Sequence, residues 1–364
     1  MSIYETSLST TSADYLRNRA AMERLLEKVR KIERDTREVS AAARPRFEKR
    51  GQLLPSDRLA LLLDRNAPFL ALSTLAGYGM RPADGQGRMI AGGGLIAGIG
   101  YVSGVRCMVC VSDSGIDAGA FQPKGLEKQL RVQEIALENK LPYVQLVESA
   151  GANLLSYRVE QFVQGGNKFR NLARLSAAGL PVITVTHGPS TAGGAYQTGL
   201  SDYIIMVRGR SRAFLAGPAL LKAATGEVAT EEALGGAEMH ASISGLADYL
   251  AEDDRDAIRI AREILAALDW EPIDPAPRRA PRPPRYDPQE LLGVMPHDYK
   301  LPVDMREVIA RIVDDSDFME FGALYGAATV CGFAAIEGRA VGIITNNGPI
   351  EPAGAAKATH FIQA

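Results

Sequence analysis

Strand-like and helical segments alternate between residues 125 and 207, and this alternation restricts the possible folds more than any other feature. The segment "GLEKQLRVQEIALENKLP" at 125–142 has apolar residues at helical spacing, and the apolar run "YVQLV" that follows is typical of a buried strand. The pattern recurs with a helical segment at 159–179, a strand "PVITVTH" at 181–187 and a third strand "YIIMV" at 203–207. Alternation at this spacing predicts a layered α/β domain with ligand groups at the strand ends.

Loops of very small residues follow the first two of these strands. They read "ESAGANLLS" at 148–156 and "GPSTAGGAYQTGL" at 188–200, the second leading into a helix. Glycines at a helix start leave backbone N–H groups unpaired and uncovered, so the amides of two neighbouring loops are expected to converge on one carbonyl oxygen. An equally acceptable interpretation is that the glycine pair only permits close helix packing. The candidate residues are Ala150, Gly151, Ala152, Ala192, Gly193, Gly194 and Ala195.

A proline-rich segment divides the chain. Residues 271–288 hold seven prolines, which favours a stiff linker and places a domain boundary near residue 285. The sequence therefore predicts one domain at 1–285 and a second at 286–364.

The sequence partly repeats itself across this linker. "LLLDRNAPFLALSTL" at 61–75 has an echo at 311–324, and "GIGYVSGVRCMVCVSDSGI" at 98–116 has one at 332–350. Both members of the second pair predict a strand, a tight glycine turn and another strand. Two matches in the same order indicate one duplicated unit, and the second copy is expected to be incomplete at Ala364.

Composition excludes several classes of protein. A net charge of -2 and a pI near 6.2 give no electrostatic footprint for nucleic acid. There is no membrane-spanning apolar run and no apolar signal core, so we expect a cytoplasmic protein that does not bind membranes. Residues 12–40 predict an amphipathic packing or subunit-contact helix.

Other motifs point to alternative functions. "GGGLIA" at 92–97 with Asp113 resembles a dinucleotide site, but a strand-like segment follows where a helix is needed. "GPSTA" at 188–192 nearly matches a nucleophile elbow, with His187 or His240 as an imaginable base, although no ordered acid and base partners follow.

Cysteine, histidine and acidic residues are interpreted as structural. "CMVC" at 107–110 lies in an apolar strand, where its two thiols face opposite ways, and no metal is expected. The histidines lack metal spacing. Asp248, Glu252 and Asp254 are expected to form a solvated helix start.

Three segments resemble the carboxyltransferase (β) subunits of biotin-dependent acyl-CoA carboxylases. They are "TAGGAY", the string "FLAGPALLKAATGEVATEEALGGAEMHASISGLADY" at 214–249, and "GFAAIEGRAVGIITNNG". "FLAGP" with "KAATGE" is more similar to the methylcrotonyl-CoA and geranyl-CoA branch than to the propionyl-CoA branch. The continuations "ANLLSYRVEQ" and "NNGPIEPAGAAKATHF" depart from the family pattern, which bears on substrate identity.

The resemblance implies two crotonase-like domains of ββα superhelical type. The first would bind the acyl-CoA thioester, and the second, from a neighbouring subunit, would bind carboxybiotin delivered by a separate biotin carboxylase/biotin carboxyl carrier (α) subunit. A hexameric β core is also implied. Gly193 and Gly194 match the family's glycine pair that holds the enolate oxygen, and Ala150 and Gly151 match the loop lining the same pocket. Ala216-Gly217-Pro218 and Lys222 lie in the matching signature after the third strand, where a pocket-wall role is one interpretation and a packing role the more favoured one.

The sequence thus favours a carboxyltransferase subunit that moves CO2 from carboxybiotin to a branched, unsaturated acyl-CoA. Backbone amides would hold the enolate, and no side-chain base is expected because carboxybiotin breakdown provides one. A propionyl-CoA or acetyl-CoA enzyme is one alternative. The other is a non-catalytic acyl-CoA-binding or assembly fragment, because the expected second copy is cut short.

Overall fold

A computed structural model describes residues 3–80, 91–151, 159–270 and 279–364. Its helices are α1 Ala13–Ala41, α2 Arg44–Lys49, α3 Pro55–Leu62, α4 Pro123–Glu138, α5 Val159–Ala177, α6 Gly193–Gly199, α7 Pro218–Thr225, α8 Glu231–Gly235, α9 Ala237–Met239, α10 Asp254–Ala267, α11 Leu291–Val294, α12 Met305–Ile309 and α13 Pro352–Gln363. Its strands are β1 Leu70–Ala71, β2 Leu95–Val102, β3 Val105–Ser112, β4 Tyr143–Ser149, β5 Val182–Thr191, β6 Tyr203–Val207, β7 Arg212–Phe214, β8 Tyr249–Ala251, β9 Met319–Phe321, β10 Thr329–Ile336 and β11 Arg339–Asn346.

The chain forms two compact units. The larger is Ile32–Ile273, and the smaller combines Met1–Lys31 with Asp274–Ala364. The sequence did not predict that the first residues would join the carboxyl-terminal ones. Within the smaller unit the Glu307 carboxylate accepts hydrogen bonds from Ser7 N at 2.8 Å and from Arg311 Nη1 at 2.8 Å. The domain boundary expected at residue 285 stays a prediction.

The larger unit is built on one mixed sheet. Its strands lie in the order β1-β2-β3-β4-β5-β6-β8, and β7 pairs with β5. Strands β1 to β3 are antiparallel, whereas β3, β4, β5, β6 and β8 pair in parallel. Parallel pairing brings the carboxyl ends of β4 and β5 to the same edge, which is where the small-residue loops begin.

Helices cover both faces of this sheet. The buried residues of α3 and α10 pack against one face, and those of α4 and α5 pack against the other. Cys107 belongs to the first core and Cys110 to the second, as the alternation of side chains along a strand predicts. The predicted layered α/β arrangement is therefore confirmed, with the expected helices at α4 and α5. The predicted strand at 181–187 is longer in the structure, because β5 continues to Thr191.

The hairpin of the larger unit has a counterpart in the smaller unit. Strands β2 and β3 are joined by Ser103 and Gly104, whose φ angles are 51° and 80°. Strands β10 and β11 are joined by Glu337 and Gly338, with φ angles of 51° and 73°. Positive φ at both turn residues is the geometry that two-residue hairpins favour.

An aspartate fastens each of these turns. The carboxylate of Asp64 accepts both turn N–H groups of the first hairpin at 2.9 and 2.7 Å. That of Asp314 accepts both turn N–H groups of the second at 2.9 and 2.8 Å. These two aspartates come from the pair of segments that the sequence matched, so the repeat extends to individual hydrogen bonds.

A further shared pattern was missed in the sequence. Helices α4 and α13 both open with Pro-x-Gly-x-x-Lys. The buried Lys128 ammonium donates to Leu95 O at 2.7 Å, and the buried Lys357 ammonium donates to Gly322 O at 3.3 Å. Each lysine therefore ties a helix to a backbone carbonyl of its own unit. No helix in the described ranges is long and apolar enough to cross a membrane.

Candidate functional site

The two small-residue loops lie side by side at the carboxyl ends of β4 and β5. Ser149 pairs with Ser190 across these strands. A Cβ atom placed on Gly194 would lie 3.1 Å from Ser190 Oγ and 3.4 Å from Ser149 Cβ, and one placed on Gly151 would lie 3.5 Å from Thr191 O. Since larger side chains would fill this space, the tiny residues keep the edge of the sheet open.

The turn into α6 is strained. Ala192 has φ 52° and ψ −115°, a conformation that glycine adopts far more readily than alanine. Its N–H donates to Phe214 O at 3.1 Å, which holds the turn in place. Within the described ranges no acceptor is bound to the N–H groups of Gly193 or Gly194. Two backbone donors are thus presented at the first turn of α6.

The other loop directs its amides elsewhere. Ala150 N donates to Ala118 O at 3.2 Å, and Gly151 N donates to Ser149 Oγ at 3.1 Å. Neither amide points at a shared oxygen site as the sequence analysis expected, because both are already bonded within the protein. A lining role for Ala150 and Gly151 stays a prediction, and Ala152 lies outside the described residues.

A strained turn at residues 117–119 is hydrogen-bonded to this loop. Asp117, Ala118 and Gly119 all have positive φ angles, of 46°, 49° and 72°. The Ser149 hydroxyl donates to Gly119 O at 3.0 Å. Such conformations persist only where the surrounding structure holds them, and they concentrate at functional sites. This segment was not among the residues predicted from the sequence.

Lys168 is the nearest described cation to Gly193, and sequence reasoning missed it. The side chain is 4% exposed, and Nζ lies 3.3 Å from the centroid of the Phe121 ring. Nζ is also 3.7 Å from the position that a Gly193 Cβ would occupy. Burial lowers the pKa of Lys168 to about 7. No sequence signal marks this residue, since it lies among the polar residues of an amphipathic helix.

A cleft lies next to the glycine pair. It has a volume of about 510 Å³ and is lined by Pro189, Thr191, Phe214, Gly217, Pro218, Ala219, Leu220 and Glu231. Its lining includes the predicted Gly217, whereas Ala216 is half-buried outside it and Lys222 is exposed on α7. Ala195 is buried in the core beneath α6, which favours a packing role for this residue.

Behind the site lies a buried ionic network. Arg58 donates to Glu148 Oε2 at 2.6 Å and to Asp254 Oδ2 at 3.2 Å. Asp254 also pairs with His187, whose Nδ1 lies 2.8 Å from Oδ1 of Asp254. The prediction that Asp254 is solvated is therefore wrong, because this carboxylate is 2% exposed and is bonded to two buried side chains.

The competing motifs have structural roles. "GGGLIA" runs directly into strand β2, and Asp113 is buried, with the Ser40 hydroxyl donating to its Oδ1 at 2.5 Å. Ser190 continues strand β5, so "GPSTA" forms no elbow. His240 bonds Ala213 O and the Ser244 hydroxyl, each at 2.8 Å, as a structural histidine does. Among the described residues no group of His, Cys, Asp or Glu is arranged to hold a metal ion.

Comparison with known proteins decides the family. The model of the carboxyl transferase domain matches residues 46–364. The chain belongs to the carboxyl transferase family. The crystal structure of the geranyl-CoA carboxylase beta subunit from P. aeruginosa is 53% identical with a TM-score of 0.91, covering 100% of this chain and 67% of that one. Transcarboxylase 12S, at 28% identity and a TM-score of 0.61, covers 92% and 66%.

Curated members of the carboxyl transferase family are similarly related. A probable biotin-dependent acyl-coenzyme A carboxylase beta2 subunit of Mycobacterium tuberculosis is 50% identical over 319 residues, which is 87% of this chain and 59% of the relative. The mitochondrial methylcrotonoyl-CoA carboxylase beta chain of Dictyostelium discoideum is 40% identical over 365 residues, 99% of this chain and 61% of the relative. The chain thus spans about three-fifths of the relatives' length. The crotonase-like α/β fold expected from the sequence is confirmed by these similarities.

Proposed function

We propose that this chain is the acyl-CoA-binding part of the carboxyltransferase (β) subunit of a biotin-dependent acyl-CoA carboxylase. Its substrate would be a branched, unsaturated acyl-CoA such as 3-methylcrotonyl-CoA or geranyl-CoA. Relatives named for such substrates are 53% and 40% identical to the chain, whereas an acetyl-/propionyl-coenzyme A carboxylase beta5 subunit of Mycobacterium tuberculosis is 31% identical. That difference favours the branched substrates over the propionyl-CoA or acetyl-CoA alternative.

The observation that carries the proposal is that the N–H groups of Gly193 and Gly194 have no acceptor among the described residues. In the proposed reaction both amides donate to the thioester carbonyl oxygen of the substrate. When the substrate loses a proton from the carbon conjugated with that carbonyl, negative charge develops on the oxygen, where fixed donors stabilise it. The resulting enolate forms a new carbon–carbon bond to CO2.

Carboxybiotin is a co-substrate here, carried by a partner α subunit. It would supply the CO2 together with a nitrogen base for the proton of the acyl carbon. The chain itself binds and orients the thioester, and no residue of it is assigned to biotin.

The cleft beside Phe214 and Leu220 is proposed to hold the acyl chain. Its lining is mostly apolar, and Thr191 connects it directly to the glycine pair. Ala150, Gly151, Ala192 and Gly217 would border the bound thioester, and Ala216 and Lys222 would form the outer wall.

Further proposals concern assembly and location. A hexameric β core is proposed, since transcarboxylase 12S is described as a hexamer assembly. The partner would be the biotin carboxylase/biotin carboxyl carrier subunit, and the compartment the cytoplasm.

Titration calorimetry of the chain tests the proposal directly. We expect 3-methylcrotonyl-CoA or geranyl-CoA to bind, propionyl-CoA to bind more weakly, and NADH not to bind. Binding of NADH without any acyl-CoA would contradict the proposal.

Substitution of the glycine pair tests the site. Gly193→Val places a side chain where only Phe169 and Lys168 are near, at 3.6 and 3.7 Å, so the fold should tolerate it. We expect acyl-CoA affinity to fall at least about 10-fold, or about 1.4 kcal/mol, because the valine side chain would block the approach of the thioester oxygen to the two amides, although the N–H itself is retained. In the assembled carboxylase, Gly194→Val should remove carboxyltransferase turnover, but its closer contact with Ser190 Oγ requires a stability check. Gly166→Ala on α5 is the control, because no atom of the described residues lies within 4 Å of a Cβ at that position.

A further inference from the structure

Lys168 is buried without a counter-charge among the described residues. Its ammonium rests on the Phe121 ring at 3.3 Å and lies 5.0 Å from the centroid of the Phe169 ring. No described carboxylate lies within ion-pair distance of it. Stacking on an aromatic ring stabilises a cation only in part, and a charge removed from water is costly unless it is paired.

The other titratable groups around Lys168 do not supply that charge. Cys110 on β3 and Tyr143 on β4 are buried, and burial raises the pKa of each, so both are neutral at pH 7. Lys128 on α4 is a second cation, donating to backbone carbonyls. Among the described residues the surroundings are therefore neutral or positive, which favours an anion at the open side of the Lys168 ammonium.

That open side is the glycine pair. Nζ lies 3.7 Å from where a Gly193 Cβ would be, so an oxygen atom bound by the free amides of Gly193 and Gly194 would lie beside the ammonium. The aromatic platform under Lys168 belongs to the same site, because Phe121 N donates to Gly151 O at 3.0 Å. The position of the Lys168 ammonium and the Phe121 ring beneath it are thus fixed before any ligand binds.

We propose that Lys168 is a catalytic residue whose ammonium binds the developing enolate oxygen together with the amides of Gly193 and Gly194. This inference rests on the proposed function and adds to it a charged group that the sequence analysis did not contain. A neutral thioester gains little from the cation, whereas the enolate gains a short charge-assisted contact. Lys168 would therefore bind the reaction's anionic state in preference to its ground state, which is the requirement for catalysis.

Two CoA thioethers of nearly equal shape can distinguish binding of the neutral ground state from binding of the anionic state. S-acetonyl-CoA places a neutral ketone, and S-carboxymethyl-CoA places a carboxylate, close to where the thioester carbonyl lies. Calorimetry should show that Lys168→Met weakens S-carboxymethyl-CoA binding at least about 30-fold, the scale found when one partner of a buried charge pair is removed. Binding of S-acetonyl-CoA should change less than about threefold, and Lys168→Arg, which keeps the positive charge, should retain most of the anion affinity.

Proton uptake gives an independent readout. Because the pKa of Lys168 in the free protein is about 7, the amine is mostly neutral at pH 8. A bound carboxylate raises that pKa, so the wild type should take up nearly one proton per S-carboxymethyl-CoA at pH 8 and almost none below pH 6. Uptake is measured by titrating in phosphate and in Tris, whose ionisation heats differ. Neither Lys168→Met nor Lys168→Arg should show this proton uptake. Lys128, whose pKa is lowered by burial to about 8, remains in all three proteins and serves as an internal control.

Equal weakening of both ligands by Lys168→Met would make the residue structural and overturn the inference. Unchanged anion binding, or proton uptake that persists in Lys168→Met, would also overturn it while leaving the proposed function intact. If the wild type binds neither thioether nor any acyl-CoA, the proposed function falls and this inference falls with it.

Discussion

Nδ1 of His187 lies 2.8 Å from Oδ1 of Asp254, and these side chains are 0% and 2% exposed. Burial and the nearby charge of Arg58 lower the pKa of His187, although the bond to Asp254 opposes this. The imidazole is therefore neutral at pH 7 and donates its Nδ1–H to the carboxylate. Its Nε2 finds no partner among the described residues.

Stability should consequently fall in mild acid. The unfolded chain binds a proton at His187 near pH 6.5, whereas the folded protein resists it, so the free energy of unfolding should drop as pH falls from about 6.5 to 5. The slope from this residue is at most about 1.4 kcal/mol per pH unit. His187→Asn, whose amide can replace the Nδ1–H donor, should flatten the slope. Urea unfolding at pH 7.5, 6 and 5 measures both proteins, and equal slopes would contradict the assignment.

Asp254→Asn should be strongly destabilising. Burial alone would raise the pKa of Asp254, but His187 and Arg58 hold it below its usual range, so the carboxylate is charged in the folded protein above about pH 4. Removing one member of a buried charged cluster costs about 3–5 kcal/mol. The contribution of the Asp254 carboxylate to the free energy of unfolding should be lost as pH falls below 4. Urea unfolding at pH 7 measures the cost.

The matched control is Glu263→Gln, which breaks an exposed ion pair with Arg259. Its effect should stay within about 0.5 kcal/mol. Similar losses in the two variants would mean that the buried network contributes no more than a surface pair.

Two glycine substitutions in neighbouring helices should have opposite signs. A Cβ on Gly125 in α4 would lie 2.1 Å from Gly93 O, so Gly125→Ala must shift backbone and should cost about 2 kcal/mol. Gly166 in α5 has open space around it, and Gly166→Ala should stabilise the protein by about 0.5–1 kcal/mol. Thermal and urea unfolding of both variants check the prediction, and a shared sign would refute it.

A substitution in the turn of the second hairpin, between β10 and β11, should stabilise the protein. Glu337 has φ 51°, which asparagine adopts with less strain than glutamate, and Asn-Gly is the preferred pair for such turns. Glu337→Asn should raise the free energy of unfolding by about 0.5 kcal/mol. The asparagine variant retains the backbone N–H that donates to Asp314. Glu337→Val, in contrast, should destabilise the turn. A higher stability for the valine variant would argue against the turn geometry.

Local patterns were sufficient for much of the fold. The apolar periodicity predicted α4 and α5, the alternation of helix and strand predicted the layered α/β arrangement, and the weak internal repeat predicted two similar hairpins. The two units resemble each other more closely than their sequences indicated. The bonds of Asp64 and Asp314 to the two turns have the same geometry, although one of the turn residues differs. The position of the glycine pair at a helix start was also predicted, since side-chain-free residues after a strand have a direct physical meaning, whereas its role in binding stays a prediction.

Tertiary contacts decided the remainder of the candidate site. Asp254 looked like one of several surface acids, and only folding placed it against Arg58 and His187. Lys168 was one basic residue in an amphipathic helix, and its burial over Phe121 depends on a chain segment far away in sequence. The amides of Ala150 and Gly151 were expected to be free, but their acceptors are set by the strained turn at 117–119 and by the Ser149 hydroxyl.

The sequence by itself determined the periodicities, the position of the glycine pair and the family to which the chain belongs, because these depend on residue types at short spacing. Only the tertiary structure decided which amides stay free and which charges are buried together. Those outcomes depend on distances between residues remote in sequence, and the cost of burying a charge is set by what surrounds it.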